Sequence, residues 1–349
     1  MRSKAVWFIV LATIGGAIAI FLVSQRRADR EDTEQIPVVE VDDLDIQFEP
    51  PAADDDPPDA NDYEVSTTVR RPLQQKLATA FPGCYKSGVD VIWGPLDGWI
   101  SPEVFDWWIP RLEEGDIEKV TQDAAERMFS WLAGDASVFS EPDGRRLCAV
   151  VGASRNLLGS GYGDLIDAHD LIFRINRAPT DSYQGDVGEK TTHHVMWPRD
   201  LEEWQYDSDA YLLMTPVTAS TRDVFGRIQY LVLEDLHWDP MRVRIIQPGF
   251  VMHLHENWTE GWMAYPSTGF ITLMIALNVC DEVDVFGFGA DAAGRWDRYY
   301  EDFPEDVSQF HPASIEAELM REMEEREILR IYRGSRFGSD SETDPSTRR

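Results

Sequence analysis

From residue 147 onward, short apolar runs alternate with longer polar or amphipathic stretches. The runs at 147–151, 171–174, 192–196, 210–214, 243–247 and 283–288 are near-continuous, the pattern of strands buried on both faces. The stretches between them suit crossover helices, so the spacing predicts a mostly parallel sheet. Residues 269–279 are apolar all round and predict a buried helix. Residues 312–330 predict a second helix: Pro312 sits in its first turn, where a missing N–H is harmless, and charges recur at i,i+4 spacing. Upstream, 77–81 predicts a short helix, and 116–132 predicts another, with Ile117, Val120, Ala124, Met128 and Trp131 at helical spacing. The aromatic stretch GWISPEVFDWW lies between them and reads as a link with tryptophans for the core. One Rossmann-like α/β domain over 64–334 holds all these elements, followed by a polar tail at 335–349.

The N-terminal pattern is different. Residues 5–23 form an uncharged run of 19, flanked by Arg2 and Lys4 before it and Arg26 and Arg27 after it. At about 1.5 Å per residue, a helix of this length spans a hydrocarbon layer of roughly 30 Å. The run is longer than the apolar part of a cleaved signal peptide, so a transmembrane anchor within residues 1–30 is expected, with the large domain beyond it in a type II arrangement. Residues 31–63 carry 13 acidic residues, 5 prolines and no Lys or Arg. Such a segment buries too little apolar surface to offset its ordering entropy, and it predicts a disordered stem.

Charge narrows the class. The chain of 349 residues has a formal net charge of −31 and no basic stripe, which excludes a nucleic-acid partner. Three cysteines, Cys84, Cys148 and Cys280, suit one disulfide with one thiol left over in an oxidising lumen, or three reduced thiols in cytosol. Asn257-Trp258-Thr259 is a glycosylation sequon, in keeping with a lumenal face. Asp207-Ser208-Asp209 matches a metal-binding Asp-x-Asp by letters only; it precedes a strand rather than following one, and no metal is assigned.

The stretch CAVVGASRNLLGSGYGD, 148–164, joins a buried strand to a glycine-rich turn whose backbone N–H groups suit a phosphate. It is not a dinucleotide fingerprint. The G-x-G-x-x-G spacing is absent, and the next strand ends in Arg174-Ile175-Asn176 where a ribose-binding acid belongs. Asn156 and Asn176 instead place short amides at successive strand ends, beside the crevice where open α/β sheets bind ligands. His193 and His194 are adjacent on a strand and so point to opposite faces, which argues against joint metal ligation.

Residues 148–198 resemble the large sialylmotif of the animal-type sialyltransferases, glycosyltransferase family 29. YPSTGFITLMIALNVCDEVDVFGFGAD at 265–291 resembles the small motif, YYED at 299–302 the third, and His311 with Glu316 the very small motif. YPSTG, GFGAD and SPEVFDWW resemble the members that sialylate O-3 of galactose. The resemblance implies a variant of the A-type glycosyltransferase fold, CMP-sialic acid as donor, no metal or other cofactor, a terminal β-galactose as acceptor, and a lumenal Golgi domain behind a membrane anchor. It also implies that Cys148 and Cys280 are joined, leaving Cys84 over.

The implied chemistry is inverting transfer, which needs a base for the acceptor hydroxyl and charge stabilisation for the departing phosphate. His311 is the expected base, with Glu316 orienting it. Tyr299 and Arg298 are expected at the phosphate; the family usually has His at the position of Arg298, and a guanidinium serves the phosphate without being a proton donor. Ala153 stands where related sequences often carry Asn. Asn156, Asn176, Ser154, Ser267, Thr268, Gly269 and Trp296 are assigned to the donor, and Tyr265 to the acceptor. Alternatives are transfer of another CMP-activated keto-sugar of the Kdo type, or a glycan- or nucleotide-binding pseudoenzyme.

Overall fold

The computed structural model describes residues 6–14, 17–25, 72–92, 101–111, 136–139, 146–197, 210–215, 242–262, 264–289, 297–301 and 313–334. The chain divides into two compact units, Met1–Thr67 and Thr68–Arg349. In the first, β1 (Val6–Ile14) and β2 (Ala17–Gln25) pair antiparallel, from Val6 opposite Gln25 to Ile14 opposite Ala17. The single transmembrane helix expected over 5–23 is therefore not what the structure shows. Among the described residues no helix is long and apolar enough to cross a membrane. The sequence carries the reason: β-branched Val6, Ile9, Val10, Thr13 and Ile14 favour a strand, and Gly15-Gly16 between the two runs is a two-residue hairpin signal.

The second unit opens with α1 (Pro72–Ala80) and α2 (Pro102–Trp108). There follow β3 (Leu147–Val151), α3 (Gly163–Asp167), β4 (Leu171–Ile175), α4 (Gln184–Val187), β5 (His193–Met196), β6 (Tyr211–Met214) and β7 (Val243–Ile245). The chain ends on α5 (Pro248–Asn257), α6 (Thr268–Val279), β8 (Glu282–Phe286), α7 (Ala313–Glu325) and β9 (Arg330–Tyr332). Strands β3 to β9 form one sheet of seven in the order β7-β6-β5-β4-β3-β8-β9, and every pair is parallel. The six strands expected from the sequence are β3 to β8.

Departures from the expected elements have local causes. The last helix stops at Glu325 rather than 330, because Glu327 takes a left-handed φ of 56° and turns the chain into the edge strand β9. Three half-buried residues at a sheet edge give β9 no apolar run to read. Helix α5 was not expected; Gln247 caps it, its Oε1 accepting from Gly249 N–H at 3.0 Å, and Pro248 begins it. Helix α2 lies inside the stretch read as a link, opened by Ser101 Oγ accepting from Val104 N–H at 3.2 Å, and its Trp107 and Trp108 are buried. The helix expected at 116–132 lies outside the described residues.

Helix α6 organises the core. Every residue from Phe270 to Leu277 is buried, so the helix lies inside the fold, packed against β3, β4, β5 and β8. Cys280, just past its end, is bonded to Cys148 near the start of β3, a closure of 132 residues. From α1, Gln74 Nε2 donates to the carbonyls of Leu277 at 2.8 Å and Cys280 at 3.0 Å, which fastens the same helix end. Cys84 is the free thiol among the described residues; it is partly buried, and desolvation raises its pKa.

Candidate functional site

Strands β3 and β8 lie side by side, but the chain leaves β3 towards β4 and leaves β8 towards β9. Such a switch point opens a crevice at the carboxyl ends of the strands, the usual ligand position in open α/β sheets. Here the two departing loops are laced together. Gly152 N–H donates to Phe286 O at 2.8 Å, Ser154 N–H to Gly287 O at 3.0 Å, Arg155 N–H to Asp297 O at 2.9 Å, and Tyr299 N–H to Ala153 O at 2.9 Å. The approach requires glycine: a Cβ on Gly152 would lie 2.4 Å from Gly287 O.

Asn156 sits in this seam and is 1% exposed. Its Nδ2 donates to Phe288 O at 2.9 Å, whereas its Oδ1 is buried with no hydrogen-bond partner. An orphaned buried acceptor costs about 1–3 kcal/mol and marks a place where a ligand donor is wanted. Ser154 is next to it; its hydroxyl accepts from Asn156 N–H at 3.2 Å and caps the turn. One strand away, Asn176 follows β4 with a left-handed φ of 50°. Its Oδ1 accepts from Trp197 N–H at 3.1 Å, and its carbonyl meets His194 Nε2, so the loop after β5 fixes its amide.

The glycine-rich turn departs from expectation. Asp186 reaches into it, Oδ2 accepting from Gly159 N–H at 2.7 Å and Oδ1 from Gly161 N–H at 2.9 Å. The turn holds an anion, but the anion is a carboxylate of this chain, and the site moves from the glycines to the Asn156 seam. Nothing in the sequence near Gly159 identifies Asp186 as the partner, because it is 25–27 residues further on, past β4.

The N-terminus of α6 forms the next wall. Ser267 is its N-cap, with Oγ accepting from Phe270 N–H at 3.0 Å. Thr268 and Gly269 occupy the first turn, where backbone N–H groups have no intrahelical acceptor and the helix dipole favours anions. Glu316, in the first turn of α7 and 6% exposed, accepts from Ser267 twice: from N–H at 2.7 Å and from Oγ–H at 2.6 Å. Burial raises its pKa, and the two bonds from Ser267 oppose that rise. Both carboxylate oxygens thus engage the small-motif serine. The expected contact of Glu316 with His311 rests on a residue outside the described set, as does the donor assignment of Trp296.

Tyr299 is 4% exposed, and its hydroxyl donates to Pro179 O at 2.7 Å rather than standing open to a phosphate. Burial pushes its phenol further above its ordinary value, and the Arg174 cation opposes the shift. Arg298 forms a backbone bridge with Ser154, its guanidinium paired with Glu301 Oε1, so this cation is attached to the loop that carries Asn156. Arg174, not singled out in the sequence, is fully buried; Nη2 donates to Lys190 O at 2.8 Å and Nε to Thr191 Oγ1 at 3.0 Å. Desolvation lowers its pKa to about 10, which leaves it a cation at neutral pH. Its only sequence signal is a lone charge in the apolar run LIFRI.

Tyr265 is half-buried beside the core, and the segment before it is held by Arg111 Nε, which donates to Ala264 O at 2.9 Å. His193 and His194 do face apart. His193 stacks between Phe139 and Phe173, its Nε2 bonded to Val138 O, whereas His194 bonds Asn176. Burial lowers both to about 4, so both are neutral structural groups at neutral pH. Asn257 is exposed at the last turn of α5. Among the described residues, no group of three or more His, Cys, Asp and Glu can hold a metal ion; Asp207-Ser208-Asp209 lies outside them.

Comparison with known proteins identifies relatives of this chain and of its fold. The model of glycosyltransferase family 29 (sialyltransferase) matches residues 100–328. A CMP-N-acetylneuraminate-beta-galactosamide-alpha-2,3-sialyltransferase 2 of Rattus norvegicus is 34% identical over 73% of this chain and 76% of its own length. The corresponding sialyltransferase 1 of Homo sapiens is 30% identical over 75% of this chain and 80% of its own. A crystal structure of a mammalian sialyltransferase superposes with a TM-score of 0.65 at 27% identity, covering 77% of this chain and 99% of that one. The same description fits a mammalian sialyltransferase in complex with Gal-beta-1-3GalNAc-ortho-nitrophenol, at a TM-score of 0.64.

Proposed function

Since this chain belongs to glycosyltransferase family 29, the sialyltransferases, we propose that it moves sialic acid from CMP-sialic acid to O-3 of a terminal β-galactose on glycoprotein or glycolipid glycans. The observation that carries the donor site is the buried, unpartnered Oδ1 of Asn156 at the β3–β8 switch point. A nucleotide offers N–H and O–H donors to such an acceptor. Thr268 and Gly269 supply N–H groups for the anionic parts of the donor. His311 takes the proton of the acceptor hydroxyl as it attacks the anomeric carbon and CMP departs. Tyr265 meets the acceptor. The reaction proceeds without a metal.

The same reading places the protein in the Golgi membrane as a type II protein, the run at 5–23 acting as anchor, 31–63 as stem, and the domain in the lumen. An open two-stranded ribbon cannot satisfy its edge groups in lipid, so membrane insertion requires that run to become helical. The lumenal setting also fits the Cys148–Cys280 bond and would allow a glycan on Asn257.

The test is turnover by the full chain in detergent, given CMP-sialic acid and terminal β-galactosides with excess chelator. Release of CMP matched by sialylated product, and its loss in His311→Ala with CMP affinity unchanged, is the expected result. Turnover with CMP-Kdo alone would favour the other keto-sugar, to which Arg298 and Ala153 point as departures from the family pattern. Chelator-sensitive turnover, or an active His311→Ala, would overturn the mechanism.

A further inference from the structure

A carboxylate from the first turn of one helix meets the N-terminus of another. Glu316 lies in the first turn of α7 and accepts from the N-cap of α6 through both donors that Ser267 possesses, at 2.7 and 2.6 Å. Ser267 then accepts from Phe270 N–H at 3.0 Å, so the chain of bonds runs from Glu316 through the hydroxyl into the helix backbone. The positive end of α6 favours a negative charge beside it. The cluster is 49 residues apart in sequence and buried, with Glu316 6% exposed, so it fixes one helix against the other instead of decorating a surface.

Resting on the reading that this cleft takes CMP-sialic acid, we propose that Glu316 is a positioning residue for the donor, acting through Ser267 rather than through the base. It holds the start of α6 so that the N–H groups of Thr268 and Gly269 stay directed to the donor's anionic groups. Both of its oxygens accept from Ser267, which commits the carboxylate to the start of α6. The helix that follows the base and the helix that receives the donor are thereby locked in one geometry.

This assignment separates kcat from donor KM. Glu316→Gln keeps an acceptor for Ser267 N–H, so donor KM should rise only about threefold; Glu316→Ala removes both acceptors and should raise it roughly tenfold. In both variants kcat and the pH profile of kcat should stay close to those of the parent. Ser267→Ala should raise donor KM, and the double variant Ser267→Ala/Glu316→Ala should be no worse than the worse single, because the two act as one unit. A shifted acid limb in Glu316→Gln, or a fall in kcat with donor KM unchanged, would reassign Glu316 to the base and overturn the proposal. Additive effects of the two substitutions would overturn it too. If Glu316→Ala fails to fold, the Gln variant and Ser267→Ala still decide. A parent enzyme inert towards CMP-sialic acid would sink the function proposed above, whereas non-additive thermal unfolding across the cycle would still support the pairing and additive unfolding would refute it.

Discussion

Asn156→Ala removes a buried side-chain acceptor in the β3–β8 seam that is unmatched among the described residues. Isothermal titration with CMP should show a Kd about tenfold higher, the worth of one hydrogen bond, and an unchanged Kd would place the nucleotide elsewhere. Tyr299 gives the opposite expectation. Its hydroxyl is committed to Pro179 O at 2.7 Å, so Tyr299→Phe should lower stability by about 1 kcal/mol in denaturant titration while kcat changes less than threefold. A large loss of kcat at unchanged stability would return that phenol to the leaving phosphate. That Asn156 and Asn176 follow successive strands was legible in the sequence, because the apolar runs before them mark β3 and β4. The pairings of Glu316 with Ser267 and of Asp186 with the glycine turn were not. Each joins residues 25 or more apart, and only the folded chain brings them together.

Elements were legible where burial imposed a continuous pattern, as in β3 to β8 and α6, and illegible where caps and edges decided. Helix α5 begins with Gln247 and Pro248 instead of a Ser, Thr, Asp or Asn signal, and β9 is too short and exposed to stand out. The adjacent histidines of β5 carry a prediction at this scale. Burial holds His193 and His194 near 4, below the ordinary 6.5, so the unfolded chain binds protons that the folded one does not. Stability is therefore fully present above about pH 6.5 and declines as pH falls towards 4, by up to about 1.4 kcal/mol per pH unit for each histidine. Denaturation midpoints should drop across that window, and replacing His193 by Phe should flatten the slope. A pH-independent midpoint would contradict the burial of both rings.

At the scale of the whole domain, the Cys148–Cys280 bond ties the first strand of the sheet to the end of its buried helix, with both residues fully buried. Cys148→Ser should destabilise by about 2–5 kcal/mol, read as a lower Tm under non-reducing conditions, and an unchanged Tm would show the bond to be dispensable. The parallel α/β class was visible in the spacing of apolar runs, whereas the switch point between β3 and β8 depends on strand order, which only the folded chain shows. The N-terminal run reads by its length as a helix in lipid, whereas its two halves pair as antiparallel strands. All of the functional reading depends on where the nucleotide sits. A crystal structure with CMP bound should place it in the crevice between β3 and β8, a donor of the nucleotide meeting Asn156 Oδ1. A nucleotide lodged anywhere else, with that oxygen still unpaired, would contradict the account.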